Sequence, residues 1–140
     1  MAEAYAAGRD VCRPQRPETI AKSLAIGNPA DGPYALELAR TTGGAVTAVS
    51  DAEIRAGIRL LAETTGIFTE TAGGVTTATL TKLGEAGAIG GDERVVAIIT
   101  GEGLKTLDAV RDGFSIDEIE PTLAAFTERV EASAPAAAAW

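Results

Sequence analysis

Apolar and polar positions along this chain follow two different periods. Ile54, Ile58 and Leu61 fall at i, i+4 and i+7, which is one face of an amphipathic helix. Ser50 and Glu53 stand just ahead of them with the S-x-x-E spacing of a capping box, in which each side chain satisfies the other's free backbone N–H. Ser115 and Glu118 repeat that spacing, and Ile116, Ile119, Leu123, Phe126 and Val130 then line a second helical face. Ala45 to Val49 and Arg94 to Ile99 are short apolar runs without that period. The second is β-branched and bounded by Asp92 and Gly101, so it is the stronger predicted strand.

Shorter elements fill the intervals. Ala2 to Ala7 predicts a brief helix that Gly8 ends. Val11 to Pro17 is a basic link whose two prolines impose an extended course. Glu18 to Ile26 predicts a helix with Ile20, Ala21 and Leu24 on one side, stopped by Gly27-Asn28-Pro29. Asp31-Gly32-Pro33 places proline in the first turn of a helix that reaches Arg40, with Ala35, Leu36, Leu38 and Ala39 packing. Gly66 to Glu70 is a brief extended stretch, and Ala72-Gly73-Gly74 leads into a helix over Val75 to Glu85. Residues 1–131 read as one unit, with an Ala-rich tail over 132–140.

Strand and helix alternate, so the expected class is α/β with parallel strands and flanking helices. Two parallel strands make no stable sheet, so the sheet is expected to be incomplete within this chain.

Composition narrows the function. The chain has 140 residues, 46% of them hydrophobic and 23% charged, which fits a globular polypeptide. The net charge of −8 argues against a nucleic-acid or anionic-membrane partner. With no histidine, Ser-His and Cys-His nucleophile pairs and His-ligated metals are excluded from these residues. One cysteine, Cys12, allows no internal disulfide and fits a reducing, cytoplasmic setting. No apolar run approaches the roughly 20 residues of a membrane span.

The candidate chemistry lies at two turns. In open α/β sheets, ligands sit beyond the carboxyl ends of strands. Thr100-Gly101-Glu102-Gly103 occupies that place after the 94–99 run. Gly101 and Gly103 permit close approach to the backbone, and the Thr100 hydroxyl could meet a ring nitrogen; a plain turn with a capping threonine is the other reading. Thr69 to Thr77 places small residues at a helix N-terminus, suited either to an anion or cofactor or simply to packing. It lacks the order of a P-loop. Lys22, Lys82 and Lys105 are the only lysines, and each reads most simply as a surface group. Asp117, Glu118 and Glu120 favour the dipole of the last helix. Cys12 lies beside Arg13 and Arg16 with no base near it and reads as an idle thiol.

Four segments together resemble a known family. They are Pro17 to Pro29 (P-E-T-I-A…I-G-N-P), Ala48 to Ile54, Thr65 to Gly74 (with G-I-F-T-E), and Arg94 to Lys105 (ending T-G-E-G-L-K). In order and spacing they resemble the C-terminal part of threonine synthases, pyridoxal-phosphate enzymes of the tryptophan-synthase-β, type II fold. The resemblance runs from Glu18 to about Asp108.

It implies a partial type II fold and pyridoxal 5'-phosphate as cofactor. It implies that Thr100 bonds the pyridine nitrogen, that Gly101 belongs to the same turn, and that Glu70 lines the cofactor pocket. A hydroxyl opposite the ring nitrogen leaves that nitrogen largely unprotonated, which suits β,γ-replacement. The reference activity is conversion of O-phosphohomoserine and water to threonine and phosphate. Two motifs depart from many relatives: Gly101-Glu102-Gly103 stands for G-H-G, and Glu70-Thr71-Ala72-Gly73 for E-P-A-S.

No lysine here matches the family's Schiff-base motif, and its glycine-rich phosphate cradle has no counterpart. The resemblance therefore implies the last third of a longer enzyme, inactive without a partner or homo-oligomer that supplies those parts. The competing expectation is a non-catalytic small-molecule-binding or regulatory module built on the same fold.

Overall fold

The computed structural model describes residues 1–113 and 118–133. Five α-helices punctuate them: α1 (Ala2–Ala6), α2 (Gly32–Thr41), α3 (Asp51–Thr65), α4 (Thr71–Glu85) and α5 (Leu123–Ser133). Short 3-10 turns lie at Lys22–Leu24, Gly103–Ala109 and Arg111–Gly113.

The centre is an antiparallel pair, α3 and α4. The capping box forms as the spacing predicts: the Glu53 amide donates to the Ser50 hydroxyl at 3.3 Å, and the Ser50 amide donates to the Glu53 carboxylate at 2.6 Å. Gly66, at φ 75°, ends α3 in the left-handed conformation that glycine adopts without steric cost. α4 begins four residues ahead of the predicted Val75, at Thr71. Its threonines are accommodated because Thr76, Thr77 and Thr81 each donate to the carbonyl one turn back.

Two glycines bring the helices into contact. A Cβ on Gly57 would stand 2.5 Å from the Gly74 carbonyl oxygen, and one on Gly74 would stand 2.7 Å from that of Ile54. Ile54 and Ile58 fill the seam with Ala21, and Ile20, Val49, Phe68, Val75 and Val110 pack around them. A second contact forms near the N-terminus, where the Tyr5 hydroxyl donates to the Gly44 carbonyl and Arg40 pairs with Asp10.

Several expectations need correction. Glu18 to Ile26 is not a helix; only Lys22–Leu24 turns, as 3-10. Asp51, at the start of α3, accepts from the Thr19 hydroxyl and the Ile20 amide, and the Ala21 amide donates to the Thr19 hydroxyl, so these groups are diverted from a helical ladder. The last helix begins at Leu123 rather than at the predicted capping box. Pro121 has no N–H and disfavours helical geometry in Glu120, while the Thr122 hydroxyl accepts from the Ala125 amide. Ser115, Ile116 and Asp117, and the tail from 134, lie outside the described residues.

The two predicted strands form no ladder among the described residues. The β-pairing there is one isolated antiparallel bridge, between Thr69 and Glu102. Ala45 to Val49 is anchored instead by Lys82, whose ammonium donates to the Ala48 carbonyl at 3.0 Å. The β-branched run is bare: Val95, Val96 and Ile98 are 47%, 82% and 72% exposed. A strand is stabilised by its neighbours, and this run has none here.

The helix pair carries two predictions. Gly57→Ala and Gly74→Ala each destabilise by about 1–3 kcal/mol through overpacking. Gly84→Ala meets nothing within 4 Å and stabilises by about 0.5–1 kcal/mol. Urea unfolding of the three variants measures the order. The Glu53 carboxyl is lowered from its ordinary 4.5 to about 2, first by the hydrogen bond from Lys82, then by those from the Ser50 amide and hydroxyl. A depressed carboxylate stabilises fully above its unfolded value and less as pH falls through its folded one. Thermal melts between pH 4.5 and 2 therefore lose stability in the wild type, and Glu53→Gln removes that part of the slope.

Candidate functional site

The isolated bridge joins the two turns singled out above. The Gly103 amide donates to the Phe68 carbonyl at 3.1 Å, and the Glu70 amide donates to the Gly101 carbonyl at 3.2 Å. The Thr69 hydroxyl donates to the same Gly101 carbonyl at 2.9 Å. One residue further on, the Thr71 amide donates to the Thr106 hydroxyl at 3.1 Å, which satisfies the first free N–H of α4.

Three consecutive side chains each lie against a glycine. Phe68 occupies the place a Cβ on Gly103 would take, Thr69 that of Gly73, and Glu70 that of Gly101. Residues 68 and 70 thus face the 101–103 turn, and residue 69 faces α4. That alternation is the period of an extended segment. Thr69 is 1% exposed and Thr71 is fully buried. The Thr71 hydroxyl has no hydrogen-bond partner.

Glu70 and Gly101, both named from the sequence, are therefore in direct contact. Thr100 precedes Gly101 and is exposed. It stands at the junction of the bare β-branched run and the clasped turn. The three lysines are elsewhere in role: Lys22 lies 3.8 Å from Asp108, and Lys82 lies 2.8 Å from Glu53. Lys105 is exposed, and its amide donates to the Glu102 carbonyl. Cys12 is a half-buried free thiol whose sulfur lies 3.1 Å from where a Cβ on Gly32 would stand. Among the described residues no group of His, Cys, Asp and Glu could hold a metal ion. Among them, too, no helix is long and apolar enough to cross a membrane.

Sequence reasoning missed Thr106, and it singled out the segments holding Thr69, Gly73 and Gly103 without reading which side chain rests on which glycine. The glycines were visible as residue types. Which side chain meets Gly101 and Gly103, and where the Thr69 hydroxyl donates, depends on pairing between segments some 30 residues apart in sequence, as for Thr69 with Gly101 (a separation of 32).

Residues 1–101 match the family of pyridoxal-phosphate dependent enzymes. The chain belongs to that family, whose cofactor is pyridoxal phosphate and whose fold is type II. It is 46% identical over 101 residues to a threonine synthase of Methanocaldococcus jannaschii, covering 72% of this chain and 25% of that protein. It is 43% identical over 103 residues to one from Bacillus sp. (strain ULM1), covering 74% and 29%. It is 36% identical over 115 residues to one from Mycobacterium tuberculosis, covering 81% and 32%. These residues thus form a threonine-synthase-like region that spans between 25% and 32% of the length of these relatives.

The clasped turn offers a hydroxyl and a carboxylate side by side, groups that could meet one edge of that cofactor. Glu70 fits closely over Gly101 only because the glycine has no Cβ, which leaves a carboxylate beside the turn that carries the Thr100 hydroxyl. A hydroxyl can donate to an unprotonated ring nitrogen.

Proposed function

We propose that this chain forms the pyridine-nitrogen wall of a pyridoxal-phosphate site in a threonine-synthase-type enzyme. The reaction would convert O-phosphohomoserine and water to threonine and phosphate. The observation that carries the reading is the contact of Glu70 with Gly101, which brings two family-implied cofactor residues together beside Thr100.

Bound pyridoxal phosphate supplies the electron sink for carbanion chemistry. Thr100 would donate a hydrogen bond from its hydroxyl to the ring nitrogen, which would stay unprotonated and so moderate the sink. Gly101 gives up its side-chain space to Glu70, which sets that carboxylate beside the turn carrying Thr100. Glu70 lines the pocket from the start of α4. Covalent catalysis also needs a lysine and a phosphate cradle. Polypeptide outside these 140 residues supplies both, as a continuation of this chain or as a partner subunit. The same polypeptide supplies strands that flank the bare 94–99 run, whose exposed Val96 and Ile98 support the need for neighbours.

The test is to purify the protein from its native cells, in whatever assembly it forms, and record its visible spectrum and threonine synthase activity. The reading expects a cofactor band, activity with O-phosphohomoserine, and a shifted band in Thr100→Ala. A cofactor-free protein without activity would contradict it and favour the non-catalytic binding module.

A further inference from the structure

We propose that Thr69 is a positioning residue: its hydroxyl fixes the Gly101 carbonyl and thereby the place of Thr100. The inference rests on the reading that Thr100 faces the cofactor ring, and it names the group that holds that contact in place.

Thr69 is 1% exposed, so its hydroxyl has no water to fall back on. Its donation to Gly101, at 2.9 Å, ties two segments 32 residues apart. The Gly101 carbonyl also accepts the Glu70 amide at 3.2 Å, so both of its lone pairs are engaged. With both engaged, the peptide plane after Gly101 cannot rotate without breaking a buried bond. Thr100 is held one residue upstream, at the end of a run from Arg94 in which no residue makes a hydrogen bond among the described residues. The clasp is therefore the nearest fixed point for its hydroxyl.

Gly73 makes the arrangement possible. A Cβ there would overlap the Thr69 hydroxyl, so Gly73 is the seat in which that hydroxyl rests. The seat lies in the first turn of α4, on the helix pair that forms the centre of the fold. Thr69 is thus the side chain that links α4 to the Gly101 carbonyl, beside the backbone bonds from Glu70 and Gly103 and the Thr71–Thr106 bond. Serine at position 69 retains the donor, and valine has the same shape without it.

Amide hydrogen exchange on the isotope-labelled chain reads the clasp without cofactor. Thr69→Val is expected to speed exchange at the Glu70 and Gly103 amides roughly tenfold, the loss of about one net hydrogen bond. The amides in the middle of α3 and α4 keep their wild-type rates, and Thr69→Ser keeps wild-type rates throughout. Gly73→Ala, which leaves Thr69 in place but fills its seat, gives the same local loss.

A second readout is the visible cofactor band of the protein purified from its native cells. Thr69→Val moves the band in the direction of Thr100→Ala, and Thr69→Ser does not. Unchanged exchange at Glu70 and Gly103 in Thr69→Val overturns the proposal. So does a band that Thr100→Ala moves and Thr69→Val leaves alone. A band that Thr100→Ala fails to move contradicts instead the reading of Thr100 as the ring contact, while the exchange result still decides whether Thr69 holds the turn.

Discussion

The site depends on three glycines that leave room for three consecutive side chains. Phe68, Thr69 and Glu70 rest against Gly103, Gly73 and Gly101. Cβ atoms at those positions would overlap the side chains, and interiors packed to crystal-like density have no slack to absorb the overlap. The consequence is a short clasp in which backbone and hydroxyl donors converge on the Phe68 and Gly101 carbonyls. It fixes the Thr100 turn to the start of α4, and through α4 to the helix pair.

The helix pair is close for the same reason. Gly57 and Gly74 let α3 and α4 approach backbone to backbone, with Ile54 and Ile58 filling the seam. The capping box of α3 extends into an ion pair, because the Glu53 carboxylate that accepts from Ser50 also meets the Lys82 ammonium at 2.8 Å. The α3 start, the last turn of α4 and the Ala48 carbonyl are thereby joined. On the Thr100 side the hydrogen bonds of the clasp stop at Gly101. Beyond it, the Arg94 to Ile99 run has exposed apolar side chains and, among the described residues, backbone groups without hydrogen-bond partners. Such an edge is suited to pairing with further strands.

Local signals were legible where they were self-contained. Ser50 and Glu53 announced α3, and Gly32-Pro33 the start of α2. They misled where a distant group competed. Asp51 takes donors from Thr19 and Ile20 that a helix over Glu18 to Ile26 would need. At the last helix the competing signal is local: Pro121 lies just past the apparent cap, and α5 begins at Leu123. The strand pattern of 94–99 is strong, but a pattern cannot furnish a neighbour. Glu70, Thr100 and Gly101 were named from motifs. Their meeting place follows from which glycine receives which side chain, and single positions do not encode that.

The most direct test of the account is the amide spectrum of the isotope-labelled chain titrated with 4-deoxypyridoxine 5'-phosphate, a cofactor analogue that needs no lysine because it has no aldehyde. The account predicts saturable shifts centred on Glu70, Thr100 and Gly101, and weaker shifts in the same residues for Thr100→Ala. Shifts absent from that turn, or centred on another part of the surface, would contradict the claim that the clasp presents the ring-nitrogen wall of a pyridoxal-phosphate site.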